Sequence, residues 1–331
     1  MNFITPKWAW PTGGLDKLLS AAVAKDYDTG LGAAKAWFAT TDIDHASHAE
    51  HRLLAAVSHR YGSDLSDLAE YPRLQGMQRM LWAKALIASK EVKPAIKMVV
   101  DAGIDVMLLK GAARTAMDES AFKTRISYDV DLLVRPEDFE PAFQMLTSAG
   151  WTPSSGESNL CIARGLPGRR SVNMFSGHFG DIDLHQFGYG SDGAVSGLEQ
   201  CIWDTAPKAT YFDVPVLIPC PEHAVAMAIT HSGRDGHRHS DWVVDCATYT
   251  QLEGFDWSAL RAAIQILGQG PIADATFGYL RDKQGLSVPA RPFSDPGLAA
   301  TVRGIPDLIQ AKPRANHTNL SRAARWIVKQ L

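Results

Sequence analysis

The chain has 331 residues, 46% of them apolar, with 33 basic against 36 acidic side chains and a formal net charge of -3. That apolar share fills a core, so wholesale disorder is excluded, and the length suits about two domains of roughly 150 residues. The charge balance carries no global basic field, so a long nucleic acid is not the expected partner.

Four cysteines (Cys161, Cys201, Cys220, Cys246) form no C-x-x-C pair, which argues against a zinc site or a disulfide scaffold and fits a reducing cytosol. Residues 1–8 lack a basic stretch followed by an apolar run, and no segment reaches the ~18 apolar residues of a membrane span. A cytoplasmic protein with no signal peptide and no membrane partner is expected.

Residues 1–100 read as helical. Apolar residues recur at three-to-four spacing over 15–24, 31–38, 43–61 and 77–102, with Pro94 expected to break or kink the last helix. Ile104 to Gly111 is an apolar run of strand length ending in Lys110-Gly111, and a helical segment follows over 112–119. The glycine lets backbone N–H groups approach a ligand, and the helix N-terminus beyond it favours an anion. Lys110 beside it reads as a phosphate contact or, alone, as a solvated strand-end lysine.

Ile126 to Val134 reads as a strand. Its alternation puts Asp129 and Asp131 on one face and Val130, Leu132 and Val134 on the other. Two parallel carboxylates repel unless a cation sits between them, and Mg²⁺ prefers one or two carboxylates, waters and substrate phosphates. Arg125, four residues earlier, reads either as a fork for a triphosphate or as a salt bridge orienting the aspartates.

A helix is expected from Pro136 to Gly150, with proline first, Glu137 and Asp138 in the first turn and glycine at the end. Residues 151–180 read as a hairpin region with its turn at 165–168. Gly180 to Phe187 alternates again. Asp181, Asp183 and His185 share one face, and a third carboxylate on a neighbouring strand would complete a two-metal cage. Asp181 reads as an exposed strand start. His185 reads as a group behind a metal ligand, a base contact or a structural histidine. Residues 188–200 read as a loop, 289–313 as irregular, and 221–232, 240–253, 257–267, 271–281 and 316–331 as helices.

Leu109-Lys110-Gly111, then Arg125 with Asp129-Val130-Asp131, then Asp183-Leu184-His185, resemble the uncharacterised nucleotidyltransferase family of the DNA polymerase β-like superfamily. The resemblance spans about residues 50–250 and is sharpest at 105–187. It implies an α/β (α+β) fold: a small mixed β-sheet core at 101–215 with helices on one side, flanked by helical regions at 1–100 and 216–331. It implies that Asp129, Asp131 and Asp183 are the catalytic residues and bind two divalent metals, Mg²⁺ or Mn²⁺. Lys110, Gly111, Arg125 and His185 would then serve a nucleoside triphosphate, with ATP the expected one. The chain departs from the superfamily in having Gly111-Ala112 where Gly-Ser is usual, and in the long gap from Gly111 to Asp129.

The expected reaction is transfer of a nucleoside monophosphate to a hydroxyl of a small molecule, peptide or protein. Two other readings use the same residues: a binding module without turnover, and a metal-dependent phosphotransferase or nuclease. The stretch with His231, His237, His239, Asp241 and Asp245 lacks clean i,i+4 spacing, so it reads as structural. Arg169-Arg170 reads as a clamp for an acidic substrate or as surface, and the basic tail (Lys312, Arg314, Arg322, Arg325, Lys329) as the solvated face of the last helix.

Overall fold

The computed structural model describes residues 7–189, 195–235, 240–294, 298–314 and 319–330. Helices α1 (Gly13–Val23), α2 (Tyr27–Phe38), α3 (His48–Tyr61) and α4 (Tyr71–Asp101) come first. There follow β1 (Met107–Leu108), α5 (Lys110–Met117), α6 (Ala121–Thr124), β2 (Val130–Leu133), α7 (Pro136–Ser148), β3 (Thr152–Pro153) and α8 (Asn159–Gly165). Next are β4 (Ser171–Ser176), β5 (Gly180–His185), α9 (Ser196–Asp204), β6 (Lys208–Tyr211) and β7 (Val214–Leu217). Helices α10 (Pro221–Asp235), α11 (Asp241–Tyr249), α12 (Trp257–Ile266), α13 (Gly270–Asp282), α14 (Leu298–Ala311) and α15 (Asn319–Gln330) complete the chain. The fold is α/β, and among the described residues no helix is long and apolar enough to cross a membrane.

The chain gathers into two compact units. One joins Met1–Gln78 with Pro221–Leu331 and is helical; the other, Arg79–Cys220, holds the sheet. In the helical unit α1 packs on α2, α3 and α11, and the Tyr279 hydroxyl donates to Asp16 at 3.0 Å, across the two chain segments. Arg52 on α3 pairs with Asp241 on α11 at 2.6 Å, both largely buried.

In the second unit, among the described residues, seven strands form one mixed sheet in the order β3-β4-β5-β2-β1-β7-β6. The pair β2–β5 is parallel, and β1–β2 and β4–β5 are antiparallel. Val130, Leu132, Ile182, Leu184, Val172 and Met174 join one buried core with Val92, Ile96 and Val99 of α4 and Phe139, Phe143 and Leu146 of α7. The alternation of each strand puts its polar residues on the opposite face, which is where the acidic residues collect.

Several elements differ from expectation. Pro94 does not break α4, which runs unbroken through it. Its ring and missing N–H cost about 3 kcal/mol, but the fully buried Val92, Ile96 and Val99 beside it each return about 1.5–3 kcal/mol. The strand expected over 126–134 begins only at Val130, because the Ser127 hydroxyl donates to the Asp129 carbonyl at 3.0 Å and closes a bend. The expected turn at 165–168 ends a helix instead. Ser158 caps α8 by accepting from the Cys161 N–H, and Leu166–Gly168 is a short 3-10 turn. The stretch 289–313 contains α14 despite Pro306, which falls where Val302 and Ile305 face solvent while Leu308 is buried. Parts of the expected 188–200 loop (190–194), the irregular stretch (295–297) and the last helix (316–318 and 331) lie outside the described residues.

Candidate functional site

Strand register assembles the acidic residues. In the parallel pair β2–β5, Asp131 stands opposite Asp183 and Leu133 opposite His185. Antiparallel β4 adds Asn173 opposite Asp183 and Phe175 opposite Asp181. Side chains at paired positions share a face, so Asp131, Asp181, Asp183, His185, Asn173 and Phe175 form one patch on the sheet face away from the core. Ligand atoms of Asp131, Asp183 and His185 lie within 4.8 Å of one another. Asp129 is outside that group. It sits on the exposed bend before β2, its carboxylate 3.4 Å from the Ser127 hydroxyl.

Two basic side chains face the carboxylates. The Lys110 ammonium donates to Asp131 Oδ1 at 2.5 Å, and His185 Nε2 lies 3.2 Å from the same oxygen and 2.8 Å from Asp183 Oδ2. Burial opposes ionisation of Asp131, but Lys110 and His185 outweigh it and hold its carboxyl well below the usual range. Asp183 is lowered in the same contest between burial and the His185 hydrogen bond. Lys110 and His185 are both raised, burial being overcome chiefly by Asp131 for the lysine and by hydrogen bonds to Asp131 and Asp183 for the histidine. Asp183 Oδ1 is buried with no hydrogen-bond partner, so this carboxylate retains an acceptor for a further cation.

Asp181 is half-buried rather than the exposed strand start expected. Its carboxylate accepts from Asn173 Nδ2 at 2.8 Å. Burial, together with the charges of Asp129, Asp183 and Asp131, pushes it up to about 6 against the Asn173 bond. The alternation Asp181-Ile182-Asp183-Leu184-His185 already carried this signal. Asn173 was overlooked, although Val172 and Met174 on either side mark it as outward-facing on β4.

The approach to the patch from β1 depends on an unusual backbone. Lys110 has φ of 48°, a left-handed value seldom taken by a side-chain-bearing residue. The Leu109 N–H donates to the Asp131 carbonyl at 3.0 Å, and the reversal at Lys110 then starts α5, whose N-terminus has no side-chain cap. Gly111 does not supply the reversal. It supplies clearance, because a Cβ there would stand 2.5 Å from Ser127 Cβ. Uncapped N–H groups at a helix start favour an anion. Arg125 is buried and donates to the Ile126 carbonyl at 2.8 Å, behind the bend that carries Asp129.

The remaining candidates are engaged elsewhere. Arg169 pairs with Glu157 at 2.7 Å, and Arg170 donates to the Gly188 carbonyl at 3.1 Å. Asp241 is taken up by Arg52 and Asp245 is buried on α11, while His237 and His239 lie outside the described residues.

With the geometry in place, comparison with known proteins adds one match. A family model described as an uncharacterised nucleotidyltransferase matches residues 45–281, well over half of the chain. No curated protein matches significantly.

Proposed function

Since the chain belongs to this uncharacterised nucleotidyltransferase family, we propose that it moves a nucleoside monophosphate from a nucleoside triphosphate, ATP in the first instance, to an acceptor hydroxyl. The acceptor oxygen bonds to the α-phosphorus, the bond to pyrophosphate breaks, and the hydroxyl proton leaves to solvent. The observation that carries this reading is the buried Asp131–Asp183–His185 group on the open sheet face, its two carboxylates aligned by parallel strand register.

The donor set fits a hard divalent ion, Mg²⁺ or Mn²⁺, because it offers carboxylate oxygens and keeps Asp183 Oδ1 unpartnered. Asp131 and Asp183 would hold such an ion, with Asp129 joining from the exposed bend. When bound it supplies neutralisation of phosphate charge and a lowered pKa for a coordinated hydroxyl. The chain's own groups do the rest. The uncapped start of α5 and Lys110 receive the β- and γ-phosphates, Asp183 orients the acceptor side, and His185 holds both carboxylates in place. Catalysis on this reading is positioning and charge neutralisation. The catalytic part is the sheet region 101–215, flanked by helical regions 1–100 and 216–331. The acceptor is a small molecule, peptide or protein, and the compartment is the cytoplasm.

A second reading has one observation in its favour. Lys110 pairs with Asp131 and His185 contacts the same carboxylate oxygen, an arrangement that also suits a nucleotide-binding module without turnover. Incubation with each triphosphate, Mg²⁺ and candidate acceptors, followed by mass spectrometry and pyrophosphate measurement, separates the readings. Pyrophosphate with a modified acceptor supports transfer, ADP points to a phosphotransferase, and neither product sinks both catalytic readings. Asp183→Ala should retain nucleotide binding and lose pyrophosphate release; release at the parent rate would remove Asp183 from the mechanism.

A further inference from the structure

One exposed ring, Phe175, stands on the acidic face, and two more aromatic residues, the exposed Phe179 and the half-buried Tyr128, are close in the chain to its acids. Phe175, 44% exposed, stands opposite Asp181 in the β4–β5 register and so lies on the carboxylate face. Phe179, 40% exposed, sits on the β4–β5 turn two residues before Asp181. That turn is held in place, because the Glu91 carboxylate of α4 accepts from the Phe179 and Gly180 N–H groups, both at 2.8 Å. Tyr128 directly precedes Asp129. The Lys84 ammonium lies 4.4 Å from the centre of the Tyr128 ring and 5.7 Å from that of Phe179. Lys84 has no carboxylate partner among the described residues.

Isolated exposed aromatic residues are ordinary, but adjoining ones at the edge of a polar site mark ligand contact. Rings interleaved with an ammonium match one chemistry, a planar base attached to phosphate: the rings stack the base and the cation meets the anion. An apolar peptide would leave Lys84 buried without a partner, and a simple polyanion would leave the phenylalanines uncovered. Position agrees with this occupant. The start of α5 is on the β1 side of the carboxylate row, and Phe175 is on the β4 side. Strand spacing puts the ring about 10 Å from the Asp129 position, two strands away, so a triphosphate anchored at α5 has its nucleoside directed across the acids toward that ring.

We infer that Phe175, Phe179 and Tyr128, with Lys84, form the subsite for the base of the nucleoside triphosphate. This rests on the transferase reading above and adds to it where the base goes. The test uses the full chain with Mn²⁺ and two ligands in calorimetry, a non-hydrolysable ATP analogue and inorganic tripolyphosphate. The parent should bind the analogue more tightly than tripolyphosphate. Phe175→Ala and Phe179→Ala should each weaken the analogue about five-fold or more and leave tripolyphosphate unchanged, and Phe175→Trp should restore parent affinity. Both rings are exposed, so thermal melts should match the parent. Equal affinity of the parent for the two ligands, or variants that bind the analogue as the parent does, would overturn the subsite alone. A parent that binds neither ligand would overturn the transferase reading and the subsite with it.

Discussion

Asp181→Asn is the substitution whose sign the site decides most clearly. The amide keeps the shape of the carboxylate and can still accept from Asn173, so the change removes charge and little else. Folding raises this carboxyl from 3.8 to about 6, with burial as the main cause. A shift of roughly two units corresponds to about 3 kcal/mol at 1.36 kcal/mol per unit. Because the group is only half-buried, solvent screening discounts this to about 1 kcal/mol. For an acid raised on folding, the penalty is present above about pH 6 and fades as pH falls from about 6 toward 3.8. Asp181→Asn should therefore be more stable than the parent by about 1 kcal/mol at pH 8, a gain of about 1–2 °C in melting temperature for a chain of this length. The two proteins should converge near pH 4. The assay is a pair of thermal melts across pH in chelator, repeated with Mg²⁺, which should raise the parent more than the variant. A variant that melts at or below the parent at pH 8 would show that burial and the neighbouring carboxylates do not raise Asp181 in solution.

Two further outcomes follow from the same geometry. Lys110→Met should bind Mn²⁺ about ten-fold more tightly than the parent in nucleotide-free calorimetry, since a charge-assisted bond of about 1.5–3 kcal/mol no longer competes for Asp131; equal or weaker binding would mean that Lys110 does not compete for that oxygen. Phe143→Ala, at a position 1% exposed in the core behind the sheet, should cost about 3–5 kcal/mol in urea unfolding, and a loss under 1 kcal/mol would contradict the packing of α7 on the strands.

Local chemistry was legible residue by residue. Pro136, Glu137 and Asp138 announced α7, which starts at that proline. The alternation from Asp181 to His185 announced β5 and its polar face, because a two-residue period is a property of the strand itself. Where local signals conflicted they misled. Pro94 suggested a break that burial of neighbouring side chains overrides, the stretch 289–313 read as irregular yet contains α14, and the Ser127 bend delayed β2 by enough to leave Asp129 outside the strand.

Tertiary structure decided everything that depends on residues far apart in the chain. Asp131 faces Asp183 because β2 and β5 are neighbours in parallel register, and nothing in the 51 residues between them states that pairing. Lys110 meets Asp131 because a left-handed residue turns the chain between β1 and α5, a contact with a carboxylate 21 residues away that local spacing does not state. Likewise α1 packs on α11 and Tyr279 reaches Asp16, joining the two ends of the chain into one helical unit. The physical reason is common to all three. A sequence pattern specifies which face of an element is apolar or polar, whereas the partner of that face is chosen by burying the apolar side and pairing the charges of the whole chain at once.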